Sequence, residues 1–261
     1  MRAGVVSTRS VVMTVTWKDL AESFYSGRLG LGLLVASLFQ LALIYLQVSS
    51  PAESYVAMSF FFVPNVLFSS ALASFVSLGT LNEEREGTLF ALEIASPASK
   101  LGLAAGKLLY STIVAVVFFL PMFVVLPVSR SLYGYFSFSK IFMGLGVALI
   151  VVLSYAWAAV ALGSVVGRRK LGTTVLSLWF AVTAWFMRTP GNRVPLIVSV
   201  TVPLDALRLS VFKLFWEGSH LSRIEGVSIG HSLFFPLFVL AASALVTLVA
   251  YLLVSKRFDV S

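Results

Sequence analysis

The 261-residue chain is 59% apolar and only 11% charged, with a mean hydropathy of +0.97. Soluble domains carry about 25% charged residues, so this composition excludes a soluble enzyme, a disordered chain and a secreted disulfide scaffold. The net charge is +8 and there is no Cys. Disulfides and thiolate metal sites are therefore ruled out, and the bases flank apolar runs, where they set topology rather than bind nucleic acid.

The first 28 residues are predicted to hold a helix before the first apolar run. Met13, Trp17, Leu20 and Phe24 recur at helical spacing and form one apolar stripe, with Lys18, Asp19, Glu22 and Ser26 off it. Such a helix is expected to lie in the cytoplasmic membrane interface, with Trp17 at headgroup depth.

Gaps between successive charges then define six spans: Leu29 to Ala52, Ser54 to Asn82, Leu108 to Ser129, Ile141 to Gly167, Leu171 to Met187 and Gly226 to Ser255. Each meets the roughly 17–25 residues that a transmembrane helix needs. No span centre carries a charge, which counts against an ion-coupled carrier, although Gln40 and Asn65 are polar enough to line a path. With the N-terminus inside, the inner segments hold four, three, three and two Lys or Arg, twelve in all. The outer segments hold none, two and five, seven in all. Both termini are therefore read as cytoplasmic in a multi-pass cell-membrane protein, with Arg168, Arg169 and Lys170 as the clearest inner marker.

Between spans two and three, residues 82–107 are read as a cytoplasmic loop with an acidic core: Glu83, Glu84, Arg85, Glu86, Gly87, Thr88, Leu89, Phe90 and Glu93. Thr80 and Glu83 have capping-box spacing, and Ser96 before Pro97 marks a fresh helix start. On a helix Glu86, Phe90 and Glu93 share a face, an aromatic between two carboxylates that suits a basic, apolar-lined groove on a soluble partner. The alternative is a solvated loop whose Phe90 dips into lipid.

Residues 188–225 form the outer segment. Leu204, Leu207, Val211 and Leu214 follow helical spacing after Pro203, with Asp205 in the first turn and Lys213 in the last, as the helix dipole favours. With Val194 to Val202 this makes either a re-entrant hairpin or a surface helix on the outer leaflet. Small residues at Ser69, Ser70, Ala71, Ala73, Ser74, Gly163 and Gly167 point to close helix contacts, and Pro64 and Pro121 to kinks.

No catalytic, cofactor-binding or metal-ligating set emerges. Gly102 to Leu108 is one residue too short for a phosphate loop and has Leu where Ser or Thr should hold magnesium. His220 and His231 are the sole histidines, and Ser164 lacks a nucleophile-elbow setting. The chain is expected to have no enzymatic activity of its own.

The stretch Glu84-Arg85-Glu86-Gly87-Thr88-Leu89, then Ser96-Pro97-Ala98-Ser99 and Gly106-Lys107, resembles the coupling segment of type-2 ATP-binding-cassette (ABC) exporter permeases. Val202 to Arg208, with Pro203, Asp205 and Arg208, is similar to an Asn-Pro-x-Asp-x-x-Arg stretch after the fifth span in some members. Two positions depart from that pattern: Phe90 stands where many members have Glu, and Val202 replaces the Asn. The resemblance implies a single all-α permease domain of six transmembrane helices. It would also have an N-terminal interface helix, a cytoplasmic coupling helix after span two and short outer re-entrant helices before span six. It also implies partners: two copies of a soluble ATPase subunit that carry ATP and Mg, and a second permease copy as homodimer. Alternatives are a membrane scaffold or assembly factor that moves nothing, and a haem-exporter-like permease of cytochrome c maturation.

Overall fold

A computed structural model of the chain describes residues 8–49, 64–79, 100–133, 138–166, 168–187, 241–242, 244–246 and 248–249. The predicted coupling residues Glu83 to Glu93 and the outer Pro203, Asp205 and Arg208 lie outside these described residues. Everything regular among the described residues is helical: α1 (Thr8–Tyr25), α2 (Arg28–Ser49), α3 (Pro64–Gly79), α4 (Lys100–Tyr133), α5 (Phe138–Val165) and α6 (Arg169–Met187). The described residues between 241 and 249 are helical too. A chain this apolar has one economical way to satisfy its backbone groups away from water, which is to bond each N–H within its own helix.

Three stretches are long and apolar enough to cross a membrane: Arg28–Tyr45, Lys100–Phe123 and Gly144–Val165. Pro64–Gly79 and Lys170–Val182 are shorter apolar helices. The fold is thus that of an all-helical, membrane-embedded protein.

Two short turns set the direction of the chain. Ser26 and Gly27 separate α1 from α2. The Ser26 amide donates to the Glu22 carbonyl (2.9 Å) and the Gly27 amide to the Phe24 carbonyl (3.0 Å), while the Gly27 carbonyl receives the Leu31 amide (2.8 Å). Gly27 has φ +74°, a left-handed conformation that ends one helix and that a side chain would strain. At the α5–α6 turn the Arg168 carbonyl accepts the Gly172 amide (3.0 Å), so Arg168 starts α6.

α2 and α3 run antiparallel. Gly79 lies beside the Arg28 guanidinium, and the Phe39 and Phe68 rings stack with centroids 4.2 Å apart, eleven residues along each helix in opposite directions. α4 is the hub, packing on α1, α2 and α5. Its buried Tyr110, Val114, Phe118, Phe119 and Met122 meet Val66 and Ala73 of α3, and Ala148, Val152, Tyr155 and Ala159 of α5. The α2–α4 crossing is close because Gly32 has no side chain: a Cβ there would stand 2.6 Å from the Phe118 ring. Such small residues are what lets helices approach without a hydrophobic drive, since lipid is as apolar as the protein. The Ser69 hydroxyl donates to the Phe118 carbonyl (3.2 Å) and the Trp157 indole donates to Thr112 Oγ1 (3.0 Å), adding cross-helix bonds. Tyr155 packs between Trp179 and Phe180 of α6, with centroids 4.9 and 5.0 Å away.

The charge-free run begins at Leu108, but α4 already includes residues 100–107, in keeping with the helix-start signal at Ser96 and Pro97. Lys107 sits within this helix with its charge hidden inside the fold.

Candidate functional site

The most unusual chemistry among the described residues lies in the seam between α1 and the first turns of α4. Lys107 and Asp19 are 1% and 0% exposed. Lys107 Nζ donates to Asp19 Oδ1 at 3.1 Å and sits 2.9 Å from Oδ2, so both carboxylate oxygens are bridged. One turn further along each helix the Ser23 and Tyr110 hydroxyls hydrogen-bond to each other, both buried. One turn back, the Thr16 hydroxyl lies 2.8 Å from the Val12 carbonyl of its own helix and 3.1 Å from the Gly106 carbonyl of α4.

The backbone makes this polar line possible. A Cβ at Gly106 would fall 2.9 Å from Val15 Cβ and 3.2 Å from the Val12 carbonyl oxygen. Only a glycine lets α1 come near enough for a short Asp side chain to reach Lys107. Val11 and Val15 of α1 close the seam against Leu103 and Ala104 of α4, and Leu248 packs on that cluster. Contacts advance in step along both helices, so α1 and α4 run in the same direction here.

The opposite face of α1 is bare. Met13, Trp17 and Phe24 of the predicted stripe are exposed, Trp17 to 74%. Leu20 is instead half-buried and packs against the main core. Sequence periodicity separated the two faces of α1 but put Asp19 with its solvated polar neighbours. The structure puts Asp19 and Ser23 inside, and turns the aromatics outward. In the sequence Gly106 and Lys107 figure only in the broken phosphate loop and at the end of the stretch that resembles a coupling segment, and Tyr110 and Ser23 carry no pattern of their own. The usable signal was an acid in an N-terminal helix, one of two with Glu22, and a Lys at the mouth of a span, charges that a membrane-embedded fold must neutralise.

A second polar feature lies deeper. Gln40, on the same face of α2 as Gly32 and Ala36, is 1% exposed and its amide has no hydrogen-bond partner among the described residues. Ser70, Ser74 and Ser77 line one face of α3, buried and likewise without partners there. Elsewhere helix hydroxyls donate to carbonyls one turn back in their own helix, as Ser37, Thr112 and Ser154 do. Asn65 is buried as well. Among the described residues no three His, Asp or Glu side chains gather as metal ligands would.

The chain matches no known protein-family model and no curated protein sequence. Fold and seam together define a class: an all-helical membrane protein whose N-terminal helix is fastened to the base of a long span by a buried ion pair.

Proposed function

We propose that this chain is the membrane-spanning permease subunit of an ATP-driven exporter, working with a separate ATPase of the ABC type. The observation that carries the reading is the placement of α1. It is bound to α4 through its polar face, leaving Met13, Trp17 and Phe24 exposed at the end of the bundle that also holds Arg28, Arg168 and Lys170. An aromatic face with basic neighbours at a helix-bundle end suits the membrane interface. α4 itself begins at Lys100, directly after the acidic segment that resembles a coupling helix, so a push on that segment would reach α4 along the backbone.

In this reading the chain crosses the membrane six times with both termini inside. Two copies pair, and each binds one ATPase through Glu83, Glu84, Arg85, Glu86, Gly87, Thr88, Phe90 and Glu93. ATP and Mg are bound by the partner, and outer helices around Pro203, Asp205 and Arg208 re-enter before the sixth span. ATPase closure displaces the acidic segment and the interface helix, and the spans alternate access.

Gentle purification of the tagged chain from its native host tests this. A stoichiometric soluble protein with Walker A and B sequences is expected, lost when Glu86 and Glu93 are both changed to Lys. Recovery of the chain alone, or with a partner that hydrolyses no ATP, would instead favour the scaffold reading.

A further inference from the structure

We infer that the Asp19–Lys107 pair, with its flanking contacts, pins α1 to α4 as one rigid body that turns about Gly27. The pin is a feature of this chain's own packing; its use in transport rests on the exporter reading above.

Three polar contacts fall in line on the seam: Thr16 with the Gly106 carbonyl, Asp19 with Lys107, and Ser23 with Tyr110. On α1 they recur at intervals of three and four residues, which keeps them on one face. All five side chains are buried. Sliding α1 along α4 by a single turn would separate the ion pair and the paired hydroxyls in a place water does not reach. Each ion would then lose its partner without regaining hydration, which is the costly way to break a buried pair. Gly106 adds a steric key, because Val15 fits against its bare backbone, where a Cβ would stand 2.9 Å from Val15 Cβ. Bistable interfaces move by slipping between equivalent packings; this seam offers no second packing with its charges matched.

The connection to α2 has the opposite character. It is two residues long, its Gly27 has φ +74°, and the space where a Gly27 side chain would stand is empty to 4 Å. α1 contacts α2 far less than it contacts α4. A force on the exposed Trp17 face is therefore delivered to α4, while α2 is left behind at the Gly27 joint. Asp19 and Lys107 are positioning residues in this scheme and touch no substrate.

The test uses the full chain in membranes from its host. The chain has no Cys, so a Val11→Cys and Leu103→Cys pair, placed within the small cluster of the seam, gives the sole possible intramolecular disulfide. Oxidation is expected to close it nearly completely. Adding Asp19→Lys should lower the yield roughly tenfold, since two like charges then face each other in the seam. Adding Lys107→Asp to that variant should restore it. Failure of the disulfide to form in the parent, or of the charge swap to restore it, overturns the pin. The second arm compares the locked and reduced forms of the parent pair for ATPase stimulation in the purified complex, and for disulfide yield with and without nucleotide. Unchanged activity and unchanged yield are expected of helices that move together. Loss of activity on locking, reversed by reductant, would show that the seam opens during the cycle and overturn the rigid-body inference. Failure of the exporter reading shows differently, as no ATPase activity in the reduced parent, and the charge-swap arm still decides the pin.

Discussion

At the scale of single residues, the decisive fact is that an acid and a base separated by 88 positions in sequence share a site closed to water. A buried ion pair is weak as a source of stability, because both ions gave up hydration to form it, yet removing one partner strands the other. This asymmetry yields a prediction. Asp19→Leu or Lys107→Met alone should destabilise the chain by about 3–5 kcal/mol, whereas the two together should recover most of that loss. Unfolding of the purified protein in mild detergent, followed by the thermal midpoint of all four forms, measures the cycle. If the double variant were as unstable as the sum of the singles, the pair would owe its effect to packing rather than charge. Sequence pattern had no access to this. Lys107 reads as the last charge before a span and Asp19 as one of several polar residues on an interface helix, and no local periodicity links α1 to α4. What the residues did announce was the exposed side: Met13, Trp17 and Phe24 keep helical spacing because an exposed apolar face obeys the same period as a core-facing one.

At the scale of elements, charge gaps located two helices closely. The run from Leu29 to Ala52 matches α2 (Arg28–Ser49), and that from Leu171 to Met187 matches α6 (Arg169–Met187). They failed at α4, whose first eight residues carry two charges and still belong to the helix, because Asp19 neutralises one of them. The same stretch, Gly102 to Leu108, had looked like a broken phosphate loop. Its Gly106 serves helix crossing instead, and here the element scale makes a prediction with an internal control. Gly106→Ala places a methyl group 2.9 Å from Val15 Cβ, a branch point that cannot rotate away. Overpacking of this kind costs about 1–3 kcal/mol. Gly146→Ala in α5 meets nothing within 4 Å, so it should be neutral or stabilise by up to about 1 kcal/mol through helix propensity alone. The thermal midpoint should fall for Gly106→Ala and hold or rise for Gly146→Ala, and equal shifts would mean that the α1–α4 crossing is not as close as the Gly106–Val15 distance requires.

At the scale of the whole molecule, the ion pair constrains topology. Asp19 precedes α2, and Lys107 follows α3, so their contact obliges both to lie on one side of the bilayer. If α2, long and apolar enough to cross, carries the chain over, the segment ending in α3 must carry it back, as the antiparallel α2–α3 register already requires. The next two helices extend the argument. α5 holds a membrane-length stretch from Gly144 to Val165, and it is followed at once by Arg168, Arg169 and Lys170, of which Arg168 and Lys170 are exposed. In the proposed orientation the three bases at 168–170 are kept on the cytoplasmic side during insertion, and the segment between α4 and α5 would then lie outside. The absence of any Cys makes this directly measurable, since one introduced thiol is the only target for a maleimide. Arg168→Cys is expected to react with a membrane-impermeant maleimide in inside-out vesicles and to stay unlabelled in intact cells. Tyr135→Cys, between α4 and α5, should show the reverse. Labelling of both positions from the same side would mean that α5 does not cross, and the six-span arrangement would fall with it. Labelling with the two sides exchanged would keep the crossings and invert the molecule, placing the α1–α4 seam outside, where no cytoplasmic ATPase could act on it.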